Sequence, residues 1–302
     1  MAVDVEVLRL LRAVSDEGSV SAAARRLGIS QPAASQQLRR AERAIGTALV
    51  ERTGRTSRPT EPGRVLARHA VAVENLLAAA EREVLAVAGL AAGTVRLVAF
   101  PSASARLVPR ALAVLRRGSP GLQVALAEAE PPGSLERLRG GDADVVVTFD
   151  HVVPGHSAPT DLAGLVVVPL LDDEVRVAVP AGAPWASDAR VRLAALQDEE
   201  WIAGCPRCRG HLVDLAAQAG FVPRIRYETD DYVAVLGLVG EDLGVALVPS
   251  LAQVQHDVPG VVTLSLDPVA RRRVVAVTTP DLARVPSVAA VLEALRVTAV
   301  GV

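Results

Sequence analysis

Two cysteines three positions apart form the most reactive pair in the sequence. Cys205 and Cys208 form a Cys-Pro-Arg-Cys motif, and His211 follows it. A CxxC pair next to a histidine can bind a metal ion or form a redox-active disulfide. The other ligand candidates are His151, His156 and His256. Their spacing indicates no single four-ligand zinc site, so we interpret the pair first as ordinary reduced thiols, with a thiol-reactive sensor and a metal site as alternatives.

A second set of candidate residues lies in the segment SQPAASQQLRRAERAIG, residues 30–46. A serine that can cap a helix, followed by a proline suited to a first turn, predicts that a helix starts here. Side chains near its start are short or polar, which suits contact with base edges in a DNA major groove. They are Ser30, Gln31, Pro32, Ala33, Ser35 and Gln36.

Arginines surround these residues and would contact DNA phosphates. Beyond Arg39 and Arg40, a predicted hairpin over residues 49–58 carries Arg52, Arg55 and Arg58. Residues 1–68 contain 12 Arg and 7 acidic residues, whereas residues 69–302 contain 20 Arg and 27 acidic residues. A basic N-terminal segment followed by an acidic remainder suits a polyanion-binding module joined to a domain with another function. The alternative is a solvated polar face on an ordinary helical bundle, and this helix alone does not decide between the two.

Two shorter helices and a turn are predicted before the polar helix and would hold it in position. Val7, Leu8, Leu11 and Val14 recur at helical spacing, Ser19 can cap a second helix from Ser21 to Leu27, and Gly28 suits the tight turn before the third. These features, with the hairpin, predict a winged helix-turn-helix over residues 1–59.

A long helix follows, predicted over residues 60–89 from a cap at Thr60. Its apolar stripe, which includes Leu76 and Leu77, is too long for one small domain to cover, so we expect a partner helix in a homodimer or homotetramer.

The remaining two thirds of the chain alternate short apolar runs with helical stretches, which predicts an α/β domain over residues 90–302. Two halves are expected: subdomain I over about residues 94–168 and 269–302, and subdomain II over about residues 169–268. Open α/β sheets bind ligands beyond the carboxyl ends of their strands. Ser102 and Ser104 follow the strand VRLVAF at the start of a helix, where free N–H groups could meet an anion; the alternative is that they are only helix caps.

The sequence resembles the LysR-type transcriptional regulators. The similarity lies in SAAARRLGISQPAASQQLRRAERAIG followed by ALVERTGRTSRPTEPGRVLARHA, with weaker likeness in LVPRALAVLRRGSPGLQV, LRGGDADVVV and DLGVALVPS. It departs from the family pattern at Val50, where an aromatic residue is frequent, and at Pro62, where a small residue is usual. The resemblance implies an N-terminal winged helix-turn-helix, a dimerising linker helix and an effector domain of two Rossmann-like, periplasmic-binding-protein-like subdomains.

The resemblance also implies where a small-molecule effector binds. The positions that match the family's effector sites are Ser102, Ala103, Ser104, Thr148, Gly204, Cys205 and Arg207, with Asp230 nearby. Arg207 would pair with an acidic ligand, whereas Asp230 or Asp231 would select a basic one, so the charge of the effector stays open. We favour a carboxylate-bearing metabolite, with a thiol-responsive regulator acting through Cys205 and Cys208 as the alternative.

Other classes of protein fit the sequence less well. The motifs GxSxG, GxGxxG, HExxH and the P-loop do not occur, so we expect neither an enzyme nor a cofactor. A secreted solute-binding protein would need a signal peptide, but MAVDVEVLRL carries acidic residues there, and no run of about 18 apolar residues predicts a membrane span. We therefore expect a cytoplasmic protein whose partners are double-stranded DNA and a small molecule, with RNA polymerase as a further candidate.

Overall fold

The structure is a computed structural model that describes residues 3–53, 56–87, 94–152, 160–252 and 258–300. The chain divides into two compact units. The N-terminal unit comprises Met1–Val84 with Arg139–Gly141, and the C-terminal unit comprises Leu85–Leu138 with Asp142–Val302. The finer boundaries that the sequence suggests, near residues 60 and 90, stay predictions.

The N-terminal unit begins with three short helices, each held by a side-chain cap. Its elements are α1 (Val5–Glu17), α2 (Val20–Arg26), α3 (Gln31–Ile45), β1 (Val50–Thr53), β2 (Thr56–Pro59) and α4 (Glu61–Val87). Asp4, Ser19 and Ser30 each accept a hydrogen bond from the backbone N–H three residues later. These caps satisfy donors that have no partner within the helix. Gly28, with a φ of 67°, makes the turn before α3.

Apolar side chains from the first three helices fill the core of this unit. Leu10 and Leu11 of α1, Ala23 of α2 and Ala34 of α3 are fully buried, and Leu49 joins them from the start of the hairpin. Burial of one stripe of α3 fixes the helix against α1 and α2. Its opposite, polar face is therefore left at the surface.

The β1–β2 hairpin is held to the helices by a small set of hydrogen bonds. The Glu42 carboxylate of α3 accepts from the N–H groups of Leu49 and Val50 at 2.9 and 3.2 Å. Thr60 caps α4 by accepting from the Gly63 N–H at 3.2 Å. A Cβ atom at Gly63 would overlap the carbonyl oxygen of Leu49, so only glycine permits this close approach of α4 to the hairpin.

The long helix α4 carries apolar side chains that this chain does not cover. Leu76 and Leu77 are 53% and 43% exposed, and Val84 is 66% exposed. Apolar residues that recur along a helix are normally buried against another element. This face is therefore available to a second copy of the chain.

The C-terminal unit is built on one mixed sheet flanked by helices. Its strands are β3 (Thr94–Ala99), β4 (Gln123–Glu128), β5 (Val145–His151), β6 (Val166–Pro180), β7 (Arg190–Arg192), β8 (Glu200–Ala203), β9 (Arg224–Glu228), β10 (Val245–Pro249) and β11 (Val261–Thr278). Its helices are α5 (Pro101–Gly118), α6 (Gly133–Gly140), α7 (Pro206–Gln218), α8 (Tyr232–Gly240) and α9 (Pro286–Ala299).

Two parallel groups of strands are joined by two long antiparallel strands. The order along the sheet is β4-β3-β5-β11-β6-β10-β8-β9, and β7 pairs with β11. β3 runs parallel to β4 and β5, and β8 runs parallel to β9 and β10. β6 and β11 pair along most of their length and thus connect the two groups. This arrangement confirms the α/β fold with two similar halves.

No helix within the described part of the chain is both long and apolar enough to span a membrane.

Candidate functional site

Helix α3 presents its polar side chains as the sequence predicts, with one exception. Ser30, Gln31, Pro32, Gln36, Arg39 and Arg40 are exposed, and Ala33 is half-buried. Ser35 is only 4% exposed, and its hydroxyl accepts a hydrogen bond from Gln31 Nε2 at 3.0 Å. The prediction that Ser35 contacts a base therefore needs correction, because Ser35 faces the core and instead orients Gln31.

The hairpin carries the remaining basic candidates. Arg58 is exposed on β2. The side chain of Arg52 and the whole of Arg55 lie outside the described residues. Arg39 and Arg40 add positive charge to the helix that carries the exposed glutamines, and Arg58 adds it to the hairpin that Glu42 holds against this helix. Guanidinium groups at such positions suit contacts with phosphates on either side of a groove.

A second group of polar residues gathers where the parallel strands of the C-terminal unit end. We call it the strand-end cluster; it comprises residues 102–104, Glu130, Thr148, His151, residues 204–208, His211, Asp230 and Arg272. Residues 102 and 130 follow β3 and β4, residue 148 lies within β5 directly after its last pair with β3, and residues 204 and 230 follow β8 and β9. Carboxyl ends of parallel strands are the usual place for ligands in open α/β sheets.

A buried ion pair lies at the centre of this cluster. Arg272 of β11 is 1% exposed and pairs with Asp173 of β6, with Nη2 to Oδ2 at 2.8 Å and Nε to Oδ2 at 2.9 Å. Asp173 also accepts from the Leu251 N–H at 3.1 Å. The guanidinium lies over the rings of Phe100 and Phe149, at 4.8 and 4.5 Å from their centroids. The sequence analysis missed this pair.

The same arginine alters the role predicted for the start of α5. Ser102 accepts a hydrogen bond from Arg272 Nη2 at 2.8 Å, and the N–H groups of Ala103 and Ser104 both bond to the Phe100 carbonyl at 3.0 Å. The predicted set of free N–H groups and two free hydroxyls is therefore wrong in part, because Ser102 and these two N–H groups have partners within the protein.

Two hydroxyls in the cluster are buried without a partner. Ser104 and Thr148 are 8% and 2% exposed, and their oxygen atoms have no hydrogen-bond partner among the described residues. Burying a hydroxyl without a hydrogen bond is unfavourable. Such groups mark places where a ligand or a water molecule would restore the missing bond.

Helix α7 begins at the cysteine motif and contacts β5 from the other half of the sheet. Arg207 donates to the Phe149 carbonyl at 2.6 Å and to Asp161 at 2.9 Å. The ring of His211 stacks on that of His151 with centroids 3.8 Å apart. Burial lowers the pKa of His151 to about 2 and that of His211 to about 4, so both rings are neutral.

The two thiols are close together and unbonded. Cys205, which is buried, caps α7 and lies with its Sγ 3.0 Å from Sγ of the half-buried Cys208. The rings of His151 and His211 stack on each other, although the spacing of these residues in the sequence predicts no common metal site. His156 and His256 lie outside the described residues. Within the described ranges, no three His, Cys, Asp or Glu side chains are placed to hold a metal ion.

Glu130 is a further residue of the cluster that the sequence did not predict. It follows β4, and burial raises its pKa to about 7, with Asp230 adding to the rise and Arg272 opposing it. Its Oε2 atom is buried and has no hydrogen-bond partner. A hydrogen bond with the Cys205 thiol also stabilises its charged form. An acidic residue directly after a strand, in AEAEPPG, was the available indication.

The acidic candidates on the other half differ from each other. Asp231 caps α8 by accepting from the Val233 N–H at 2.8 Å, which leaves it committed to the helix. Asp230 is exposed and acts electrostatically on Glu130. Gly204 lies between β8 and Cys205, and a Cβ atom added there would lie 3.6 Å from Cβ of Cys208. Of the predicted effector residues, the structure therefore leaves Ser104, Thr148 and Asp230 with polar groups that are not committed to described partners.

Comparison with known proteins gives the same family for both parts of the chain. A sequence model of the LysR substrate binding domain matches residues 88–299, and one of the bacterial regulatory helix-turn-helix protein, lysR family, matches residues 5–64. The chain is 28% identical over 313 residues to the probable HTH-type transcriptional regulator LrrA of Synechococcus elongatus, covering 98% of this chain and 97% of that protein.

Two solved structures share the fold along nearly the whole chain. A full-length OxyR variant from Pseudomonas aeruginosa has a TM-score of 0.68 at 21% identity and covers 97% of this chain and 95% of its own. Full-length CbnR complexed with its target DNA has a TM-score of 0.60 at 22% identity and covers 98% of this chain and 100% of its own.

Substitution of Glu130 by Gln should change how stability depends on pH. The pKa of Glu130 is about 7 in the folded chain and 4.5 in its ordinary range, so the folded chain binds the Glu130 proton more tightly than the unfolded chain does. The folded state therefore loses stability as the pH rises from 4.5 to about 7. Glutamine stays neutral. The melting temperature of the variant should therefore rise relative to wild type between about pH 5 and pH 8, as circular dichroism would record. A constant difference across this range, or the same trend in the exposed control Glu128→Gln, would contradict the effect of burial.

Proposed function

We propose that this chain, which belongs to the LysR family of bacterial transcriptional regulators, reads DNA through α3 and the β1–β2 hairpin and senses a small molecule at the strand-end cluster. Members of this family are DNA-binding regulators rather than enzymes; they bind effectors and form oligomers. The proposed domains are residues 1–59 for DNA binding, 60–89 for the linker helix and 90–302 for the effector domain. A protein that regulates transcription would work in the cytoplasm.

The exposed face of α3 is the observation that carries the DNA-reading proposal. Gln31 and Gln36 project from a helix whose opposite face is fixed in the core, and glutamine can bond both the N6 and N7 positions of adenine. The bond between Gln31 and Ser35 holds Gln31 in one orientation before DNA arrives. Arg39 and Arg58 would contact the phosphates on either side.

Gln36→Ala should weaken binding to the cognate site far more than binding to random DNA. A lost base contact costs about 1–3 kcal/mol only where the correct base is present, whereas phosphate contacts are independent of sequence. Arg58→Ala, the matched control, should weaken binding to both DNAs. It should also reduce the slope of log affinity against log salt concentration by about 1, the value expected for one lost phosphate contact. Fluorescence anisotropy with a site selected from a random pool by the wild-type protein would measure this. Equal losses on both DNAs for Gln36→Ala would show that Gln36 does not read a base.

The face of α4 that carries Leu76 and Leu77 supports assembly through this helix. Both side chains are exposed in the single chain, and burying them against the same helix of a second copy would remove apolar surface from water. A dimer would also place two reading helices on one DNA site. We propose a homodimer as the unit and a homotetramer as its further assembly, with RNA polymerase as a candidate partner of the bound complex.

The strand-end cluster carries the effector proposal. It brings Ser104 and Thr148, both buried without partners, together with Glu130 at adjacent strand ends, and Cys205 faces Glu130 from the other half of the sheet. A ligand that bonds to these groups would contact both halves at once. It would therefore change the balance between arrangements of the two halves, which is how effector binding would alter DNA binding or activation.

Ser104→Ala and Thr148→Val should weaken effector binding without affecting operator affinity in the absence of ligand. Each removes one hydroxyl that has no partner in the protein, so the cost to folding is small and the loss falls on the ligand. A thermal-shift screen of metabolites would supply the ligand, and calorimetry its affinity for each variant. The exposed hydroxyl variant Ser30→Ala should behave in the opposite way, with altered DNA binding and unchanged ligand affinity. Unchanged ligand affinity in both cluster variants would remove the effector site from this strand end.

A second candidate function, response to thiol oxidants, is favoured by the 3.0 Å separation of the Cys205 and Cys208 sulfurs. A hydrogen bond with Cys208, together with burial, raises the pKa of the Cys205 thiol, so the half-buried Cys208 would react first. Its thiolate would attack a hydroperoxide, giving sulfenic acid and an alcohol or water. Cys205 would then displace the hydroxyl group to form the disulfide and release water.

Hydrogen peroxide should convert both thiols to a disulfide and change operator affinity. Mass spectrometry should show the loss of two hydrogen atoms per chain, reversed by dithiothreitol, whereas Cys205→Ser should accumulate a sulfenic acid at Cys208 that dimedone traps. The change in operator affinity should be absent from both single serine variants. A disulfide that forms while operator affinity stays constant would exclude a sensory role for the pair.

A further inference from the structure

The charges around the strand-end cluster indicate which kind of effector it accepts. This step rests on the proposed function, since it assumes that the cluster is the effector site. Two arginines face the cluster, and each already has an acidic partner. Arg272 pairs with the buried Asp173 at 2.8 Å, and Arg207 pairs with Asp161 at 2.9 Å while also donating to a backbone carbonyl. Their positive charges are thus compensated within the protein.

A third arginine, Arg106 of α5, acts on a different carboxylate. It donates to the Ser250 carbonyl at 3.4 Å, and its Nε atom is buried with no hydrogen-bond partner among the described residues. Burial raises the pKa of Asp173, and the charges of Arg272 and, to a smaller extent, Arg106 oppose that rise. The charges that act on Glu130 are instead those of Asp230, Arg272 and Arg207. Arg106 therefore acts on Asp173 and is not among the charges that act on Glu130 at the end of β4.

Glu130 is the acidic group left over in this arrangement. Its Oε2 atom is buried and has no partner, and Asp230 adds a second negative charge nearby. Ser104 and Thr148, each more than nine-tenths buried, have hydroxyl groups that are also without partners. Ala99, at the end of β3, is in register with Glu128 on one side and Val147 on the other. Ser104 and Glu130 therefore follow β3 and β4, and Thr148 lies on β5 one residue beyond its last pair with β3, towards the same end of these parallel strands.

We propose that the effector carries a cationic group, an ammonium or a guanidinium, which binds the Glu130 carboxylate while Ser104 and Thr148 bond to polar groups elsewhere in the molecule. A carboxylate at the same place would meet Glu130 and Asp230. It could use Arg272 only by taking it from Asp173, and Arg207 only by taking it from Asp161. Removing a partner from a buried ion pair leaves an uncompensated charge, which is strongly unfavourable.

Ligand binding should depend on pH in a defined direction. The pKa of Glu130 is about 7 without ligand, so at lower pH a cation must displace a proton before it binds. Affinity should be about tenfold weaker at pH 6 than at pH 8, because the ionised fraction changes by that factor. The groups that face Glu130 are Arg272 on β11, Asp230 after β9, Cys205 before α7, Arg207 on α7 and Tyr232 on α8. Amines and carboxylates used as probes keep their charge at both pH values.

The test compares matched amines and carboxylates on the full-length protein. The probes are benzylamine with benzoate, cyclohexylamine with cyclohexanecarboxylate, and agmatine with adipate, measured by calorimetry and thermal shift at pH 6 and pH 8. At least one amine or guanidine should bind wild type and the exposed control Glu128→Gln, and should bind Glu130→Gln at least about tenfold more weakly. Circular dichroism and operator binding would show that Glu130→Gln is folded.

Three results would overturn the proposal: a carboxylate that binds in preference to its matched amine, an amine that binds Glu130→Gln as tightly as wild type, or no binding by any cationic probe. The Ser104→Ala variant separates this failure from that of the proposed effector site. If a carboxylate binds and Ser104→Ala weakens it, the site stands and the cationic class is wrong. If a probe binds and neither Ser104→Ala nor Glu130→Gln affects it, both are wrong.

Discussion

The buried ion pair between Arg272 and Asp173 is the interaction on which the C-terminal unit depends. These residues lie opposite each other on β11 and β6, the two strands that join both halves of the sheet. A buried guanidinium is tolerated only when it is paired and fully hydrogen-bonded. The Nε and Nη2 atoms of Arg272 bond to Asp173 and to Ser102 at the start of α5, and its guanidinium lies over two phenylalanine rings.

This pair explains how the rest of the strand-end cluster is arranged. Because Ser102 is bound to Arg272, the helix start that would otherwise suit an anion has lost one of its hydroxyls to the protein. Among the described residues of the cluster, Ser104, Thr148 and Glu130 and the ring nitrogens of His151 and His211 have buried polar atoms without hydrogen-bond partners. The contacts of Arg207 and His211 with β5 then bring the start of α7 against the other half of the sheet. A change in the position of α7 would thus affect both halves of the sheet.

In the N-terminal unit, the comparable constraint is burial of one stripe of α3. Ala34, Leu38 and Ala41 fix the helix against α1 and α2, so the exposed glutamines are held on its opposite face. Glu42 uses the far end of the same helix to hold the hairpin. Helix α3 and the start of the hairpin are therefore held together by contacts within this unit.

The sequence alone determined those features that depend on local chemistry. Ser19 and Ser30 as caps, Gly28 as the turn and the alternation of strands and helices follow from periodicity and capping, and the family followed from two long matching segments. Tertiary structure decided the rest, because burial and pairing join residues distant in the chain. No local pattern in the sequence predicts that Arg272 pairs with Asp173. Nor does one predict that Glu130 lies beside Cys205, or that Ser35 is on the buried side of α3. The charge that remains uncompensated in the strand-end cluster depends on which ion pairs form, and these pairs form only in the folded chain.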